Sequence, residues 1–193
     1  MKKVPINDLT FEYVKSRLHY DPLTGLFLWK LKSPECGEYF WRKWNTQYGG
    51  KCAGSKLNIQ VGGSRRTYWR LHLASRDYLA HRIAWLLHYG EWPTNSIDHI
   101  NGDSTDNRIA NLRDCTHAQN HANRSADRGN STGYKGVSLH ACGRYYAQLK
   151  KGGEHKLALT YATAEEAARA YDAAAREHFG EFARLNFPDE GGR

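Results

Sequence analysis

The stretch that decides how this chain folds begins Ile97-Asp98-His99-Ile100-Asn101-Gly102-Asp103. It runs on through Asp106-Asn107-Arg108-Ile109-Ala110-Asn111-Leu112-Arg113 to Cys115-Thr116-His117-Ala118-Gln119-Asn120-His121. Ile97 to Ile100 reads as a short strand with two polar side chains side by side. Strand neighbours point to opposite faces, so Asp98 and His99 diverge unless the backbone bends. Asn101-Gly102 is a turn, and Leu112 to Cys115 reads as the returning strand. Thr116 is a good N-cap for a helix starting at His117, on which His117, Asn120 and His121 share one face.

These residue types carry a specific chemistry. A hard divalent cation takes oxygen ligands, and a carboxylate with an amide oxygen, completed by water and phosphate, suits Mg²⁺. A neutral imidazole beside such an ion can take a proton from water at physiological pH. Asp98, His99 and Asn120 are therefore a sufficient set for phosphodiester hydrolysis.

Upstream, Phe11, Val14 and Leu18 predict a helix over residues 8–19, ended by the turn Asp21-Pro22-Leu23-Thr24-Gly25. Leu26 to Trp29 reads as a buried strand. Leu57–Val61 and Arg66–Leu73 flank Gly62-Gly63 as a hairpin. Tyr78 to Tyr89 reads as a buried helix stopped by Gly90 and Pro93. On that apolar helix His81 reads as a packed core histidine, and Cys115 as a small core residue. Residues 33–55 are aromatic but full of breakers, and the pattern assigns them no element.

Downstream, residues 125–133 lack any apolar side chain larger than alanine and read as a linker. Three strand-like stretches follow, Tyr134–His140, Arg144–Lys151 and Glu154–Tyr161. Thr163-Ala164-Glu165-Glu166 is a capping box opening an alanine-rich helix that runs to about Phe179.

The chain has 193 residues, with 28 Lys+Arg against 20 Asp+Glu, a net charge of +8. That balance points to a polyanionic partner. Residues 1–129 hold 19 basic and 12 acidic side chains, whereas 130–193 hold 9 and 8. The second segment is polarised: Lys135 to Lys156 has five basic side chains to one acidic, so its strands are basic and its helix acidic. At 40% hydrophobic and 12% aromatic, the chain is too rich in core formers for a disordered polycation. The apolar runs are too short for a membrane span, and Met1-Lys2-Lys3-Val4-Pro5 opens no signal peptide. Cys36, Cys52, Cys115 and Cys142 form no C-x-x-C pair, so reduced thiols and a cytoplasmic location are expected.

The pattern D-H-x-N-G, then D-N-R-x-x-N-L-R, then N, carried by Asp98 to Asn120, closely resembles the HNH nucleases with a ββα-metal motif. The nearest subgroup is that of phage and intron-encoded homing endonucleases. His81-Arg82-Ile83-Ala84-Trp85 and Gly90-Glu91-Trp92-Pro93 extend the resemblance to roughly residues 20–124. It implies His99 as general base, Asp98 as metal ligand, and Asn111 as the residue that braces the loop and orients His99. Asn120 would be the second metal ligand, with His117 and His121 as alternatives. The ion implied is Mg²⁺, with Mn²⁺ as a substitute.

Tyr134-Lys135-Gly136-Val137, Gly143 to Lys150, Leu159 to Asp172 and Asn186-Phe187-Pro188 resemble the AP2/ERF DNA-binding domain. That family lays a three-stranded sheet in the major groove with a helix behind. The resemblance implies DNA contacts from Lys135, Arg144, Tyr145 and Lys150. Ser138, His140, Cys142 and Gln148 replace residues of the plant pattern, so a plant-type target is not implied.

The expectation is an α+β chain: an HNH ββα-metal region with an N-terminal β-rich extension over 1–124 (core about 78–124), a linker over 125–133, and an AP2-like sheet packed on one helix over 134–188. It is expected to act on double-stranded DNA as a monomer, in a bacterial or phage-infected cell, as a nicking endonuclease. The alternative is a DNA-binding regulator with an inactive HNH scaffold.

Overall fold

A computed structural model describes residues 8–61, 64–126 and 129–188, and its architecture is mixed α and β. The chain divides into two compact units, Met1–Asp114 and Cys115–Arg193.

The first unit opens with α1 (Phe11–Arg17), capped by Thr10, whose hydroxyl accepts from the Tyr13 backbone N–H at 3.2 Å. The helix is shorter than the 8–19 expected. Leu18 fits the helical spacing, but it is already extended and opens β1 (Leu18–Tyr20), paired with β2 (Phe27–Trp29). A 3-10 turn, Pro34–Cys36, leads into α2 (Glu38–Gln47), which the sequence pattern did not reveal.

An antiparallel sheet follows, with β3 (Ser55–Val61), β4 (Ser64–Leu73) and β5 (Arg76–Leu79) in that order. The expected turn at Gly62-Gly63 lies outside the described residues, though Val61 and Ser64 on either side are in register. Tyr78, read as the start of a helix, pairs with Leu71 in this sheet, and α3 (Ala80–Tyr89) begins two residues later. Gly90, in the left-handed region at φ 82°, ends α3.

β6 (Ser96–His99) and β7 (Leu112–Cys115) form a two-stranded ribbon, joined by a loop with a 3-10 turn at Ile109–Asn111. One core serves the unit. Val14 and Leu18 from the first helix and strand, Leu71 and Leu73 from β4, Ile83 and Leu86 from α3, and Ile97 and Leu112 from the ribbon all belong to it. The ribbon is thus anchored by its apolar residues while its polar ones line a site.

The second unit starts with α4 (His117–Ala122). Its capping box joins Thr116 and Gln119, as the Thr116 N-cap anticipated. Residues 130–132 are a hydrogen-bonded turn: the Asn130 amide donates to the Tyr134 carbonyl at 2.6 Å, and the Thr132 hydroxyl to the Val137 carbonyl at 3.0 Å. Part of the expected linker, Asp127-Arg128, lies outside the described residues.

β8 (Val137–Leu139), β9 (Tyr145–Lys151) and β10 (Glu154–Tyr161) form an antiparallel sheet in the order β10-β9-β8. α5 (Ala164–Phe179) packs on it through Ala167, Ala168, Tyr171 and Ala175, against Val137, Ala147 and Leu149. Alanines at the contact let the helix lie close. Gly136 is held there for the same reason, since a Cβ would sit 2.1 Å from the Tyr171 ring.

Candidate functional site

Asp98 and His99 close β6, and both are buried. A buried carboxylate needs charged or polar partners. Arg113, from β7, supplies them: its Nε and Nη2 donate to Asp98 Oδ2 at 2.9 and 2.8 Å. The ribbon therefore fixes Asp98 by a cross-strand charge pair and leaves little rotamer freedom.

The loop after His99 is held by its own polar side chains. Asn111 is buried and works at both ends of its amide: Oδ1 accepts from the Asn101 N–H at 3.0 Å, and Nδ2 donates to the Asp106 carbonyl at 2.9 Å. Its carbonyl also accepts from the Ile100 N–H at 2.9 Å. Asn101 Nδ2 donates to Asp106 at 2.9 Å, and Arg108 donates to the same carboxylate at 2.6 Å through Nη2. These donors, Arg108 first, hold the Asp106 pKa down at about 2.

Two other elements buttress the loop. The Ser104 hydroxyl donates to the Thr67 carbonyl of β4 at 2.7 Å. From the turn between β1 and β2, the Pro22 carbonyl accepts from the Ile109 N–H at 3.1 Å, and the Tyr20 hydroxyl donates to the Asn107 carbonyl at 2.7 Å. Gly25, at φ +72°, lies so close that a Cβ would meet the Arg108 nitrogen at 2.5 Å and the Asn107 carbonyl carbon at 2.6 Å.

A Gly25→Ala variant must therefore move the loop or strain the turn. We expect it to fold with a loss of about 1–3 kcal/mol. A displacement of order 1 Å in the loop should slow any chemistry at His99 by about 10²-fold. Thermal melts and cleavage rates measured together check this; an unchanged rate contradicts the buttress.

Burial lowers the His99 pKa, against the opposing pull of the Asn107 carboxamide and of Asp98, Asp103 and Asp106. The imidazole is therefore mostly neutral at neutral pH, the form that accepts a proton. The His81 ring stands edge-on to it, centroids 5.1 Å apart at 90°, and lies 5.9 Å from Tyr68. Burial first, then His99 and Arg82, push the His81 pKa well below its ordinary value.

The core reading of His81 agrees with its burial, but the reading did not place it against His99. Nor did it anticipate Arg113 as the partner of Asp98, or Asn107 beside the imidazole. Arg113 could have been found from the pairing of two short strands, which sets Asp98 and Arg113 on neighbouring strands.

The first unit thus brings Asp98, His99 and Asn111 together. Asn120 is carried by α4 in the second unit, partly buried, with His117 and His121 exposed on the same helix. Among the described residues, no group of three or more His, Cys, Asp or Glu side chains could hold a metal ion. A carboxylate with an amide oxygen fits a small hard ion that keeps most of its shell as water and substrate phosphate. It does not fit a closed zinc site. None of the four cysteines is in a disulfide, and Cys115 is buried.

In the second unit, alternation along β9 sorts the expected DNA contacts. Tyr145, Ala147 and Leu149 face α5, and Tyr145 packs against the core of Val137, Ala147, Ala167 and Ala168. Tyr146, Gln148 and Lys150 take the other face, together with Ser138 of β8. Tyr145 is partly buried, with its ring packed against that core. Lys135 is half-buried, its ammonium donating to the Ala122 carbonyl, and burial lowers its pKa to about 8. Arg144 and Lys150 are exposed.

Residues 78–122 match the HNH endonuclease family. The match covers α3, the β6–β7 ribbon with its loop, and α4, the elements that carry Asp98, His99, Asn111 and Asn120. The chain is also 37% identical over 90 residues to an uncharacterized HNH endonuclease of Acanthamoeba polyphaga mimivirus, covering 47% of this chain and 46% of that one. It is 39% identical over 72 residues to dehydration-responsive element-binding protein 2E of Arabidopsis thaliana, covering 31% and 30%. The chain thus spans less than half the length of these relatives. No solved structure matches. The HNH region suggests a nuclease, a class that generally uses a divalent metal ion and acts on DNA. No helix among the described residues is long and apolar enough to cross a membrane.

Proposed function

We propose that this chain is a metal-dependent DNA endonuclease that hydrolyses phosphodiester bonds one strand at a time, with the second unit supplying DNA affinity. The observation that carries this reading is the buried His99 imidazole next to an Asp98 carboxylate pinned by Arg113, before a loop clamped by Asn111. Preorganised groups of this kind lower a barrier because nothing has to reorganise during reaction.

In the proposed reaction His99 takes a proton from water, and the resulting hydroxide attacks phosphorus in line with the 3′-oxygen. The P–O3′ bond breaks and the departing 3′-oxygen takes a proton from solvent, leaving a 3′-hydroxyl and a 5′-phosphate. Asp98 would hold a bound Mg²⁺, which would supply stabilisation of charge on the phosphate and on the leaving oxygen. Arg113 holds Asp98, and Asn111 holds the loop that follows His99, so neither needs to touch substrate.

A single site cuts one strand per engagement, which makes nicking the expected outcome. In the second unit, Arg144 and Lys150 supply phosphate contacts, and Tyr146 and Gln148 share the outer face of the sheet with Lys150. Phosphate contacts position a protein on DNA without specifying sequence, so modest specificity is expected.

The end chemistry tests the route. Nicks made by the chain in long duplex DNA should be sealed directly by DNA ligase. Nicks that seal only after a 3′-phosphate is removed contradict attack by water in this direction. Tight duplex binding without any nick favours a DNA-binding regulator instead.

A further inference from the structure

Residues 30–51 form a satellite to the core of the first unit. α2 carries Tyr39, Phe40, Trp41 and Trp44 within one short helix, yet none of its residues is buried. Tyr39 is 78% exposed, Phe40 50% and the following Tyr48 38%. Rings this open, rimmed by polar groups, mark a surface that meets something.

The helix is firmly seated from beneath. Trp44 meets Trp29 edge-on at 5.6 Å and Tyr48 at 4.7 Å, and Trp29 packs against the core. Asn45 clips the chain at Lys32, accepting from its N–H at 2.8 Å and donating to its carbonyl at 3.0 Å. The helix is therefore tied to the core through Trp44 and to the preceding segment through Asn45, with Tyr39 and Phe40 turned outward.

The charges around it choose the partner. Residues 30–51 hold five Lys and Arg against two acids, and one of those acids, Glu38, is paired with Arg42 at 2.7 Å. The cations alternate with the rings. Lys32 Nζ lies 4.0 Å from the Phe40 centroid and 4.1 Å from that of Trp44, and Lys43 Nζ lies 5.8 Å from that of Tyr39. An apolar protein partner would want an apolar centre with charge at the rim. Interleaved rings and cations fit a chain that alternates flat π faces with negative charges. Unpaired nucleotides have that form, whereas a duplex hides its base faces in the stack.

We propose that α2 and its flanks form a binding surface for single-stranded DNA. Bases stack on Tyr39 and Phe40, and the phosphates run along Lys32, Arg42 and Lys43. The surface does not depend on the nuclease reading, and its test excludes cleavage by including EDTA.

The full chain is titrated into a fluorescent oligothymidylate of ~20 nucleotides, followed by anisotropy at about 0.15 M salt. The double variant Tyr39→Ala/Phe40→Ala should bind at least about tenfold more weakly. Its affinity for a duplex of the same length should not change. The conservative Tyr39→Phe keeps the ring and should keep the affinity, which separates stacking from misfolding. Arg42→Gln/Lys43→Gln should flatten the salt dependence by roughly 0.7 per charge removed. The proposal is overturned if the double variant binds oligothymidylate like the parent, or if it loses single strand and duplex equally. It is also overturned if polyglutamate displaces the oligonucleotide as well as unlabelled oligothymidylate does.

Discussion

A His99→Ala variant is expected to lose strand cleavage while still binding DNA. In the proposed reaction His99 is the group that accepts the proton of the attacking water, and general base catalysis of this kind is worth about 10²–10⁴ in rate. His81, whose ring packs on it, is poorly placed to replace it: it is buried, and its pKa is pushed further down. The change should leave the fold largely intact, because Asn101, Asp106, Arg108 and Asn111 hold the loop after residue 99 by bonds among themselves. Cleavage rates, together with duplex affinity by anisotropy, separate the two effects. Cleavage at the parental rate removes His99 from its role. Loss of binding in step with cleavage makes it a structural residue.

The largest effect on stability is expected in the second unit, at Asp172. Its side chain is 1% exposed, and it accepts from the Asn186 N–H at 2.8 Å, the Asn186 amide at 3.0 Å and the Phe187 N–H at 2.8 Å. Those bonds fold the segment after α5 back over the sheet, where Phe187 meets Tyr134 at 5.6 Å. Asp172→Ala leaves these donors without their acceptor, at a cost of about 3 kcal/mol. For a unit of this size the thermal midpoint should fall by about 10 °C or more. Calorimetry should show that loss in one transition. An unchanged midpoint would mean that water replaces the carboxylate without cost.

Much of this arrangement is legible in the residues themselves. Thr116 and Thr163 each announce a helix start because a capping box is local chemistry, needing only a hydroxyl and a Gln or Glu three residues on. Asp98 and His99 stand out because few structural roles put two titratable groups at the end of a short strand. α2 was hidden because its aromatics do not face a core, so no apolar stripe announces it. Leu18 and Tyr78 fit helical spacing and strand pairing alike, and only the partners Trp29 and Leu71 decide between them. The same holds for Tyr145, whose neighbour Tyr146 has the same chemistry, so that register alone determines which ring faces α5. Long-range contacts such as His81 on His99, or Gly25 against Arg108, leave no trace in local pattern.

In the proposed reaction this chain hydrolyses DNA with His99 as the base and a metal ion bound at Asp98. The most direct measurement is the conversion of supercoiled plasmid to relaxed circles by the full chain, with Mg²⁺ or Mn²⁺ and with EDTA, beside the His99→Ala variant. Relaxed circles are expected with either metal and none in EDTA, with a rate lower by about 10²–10⁴ for the variant. Plasmid that stays supercoiled at every metal concentration while the chain binds it tightly, or relaxation that persists in EDTA, contradicts the proposed reaction.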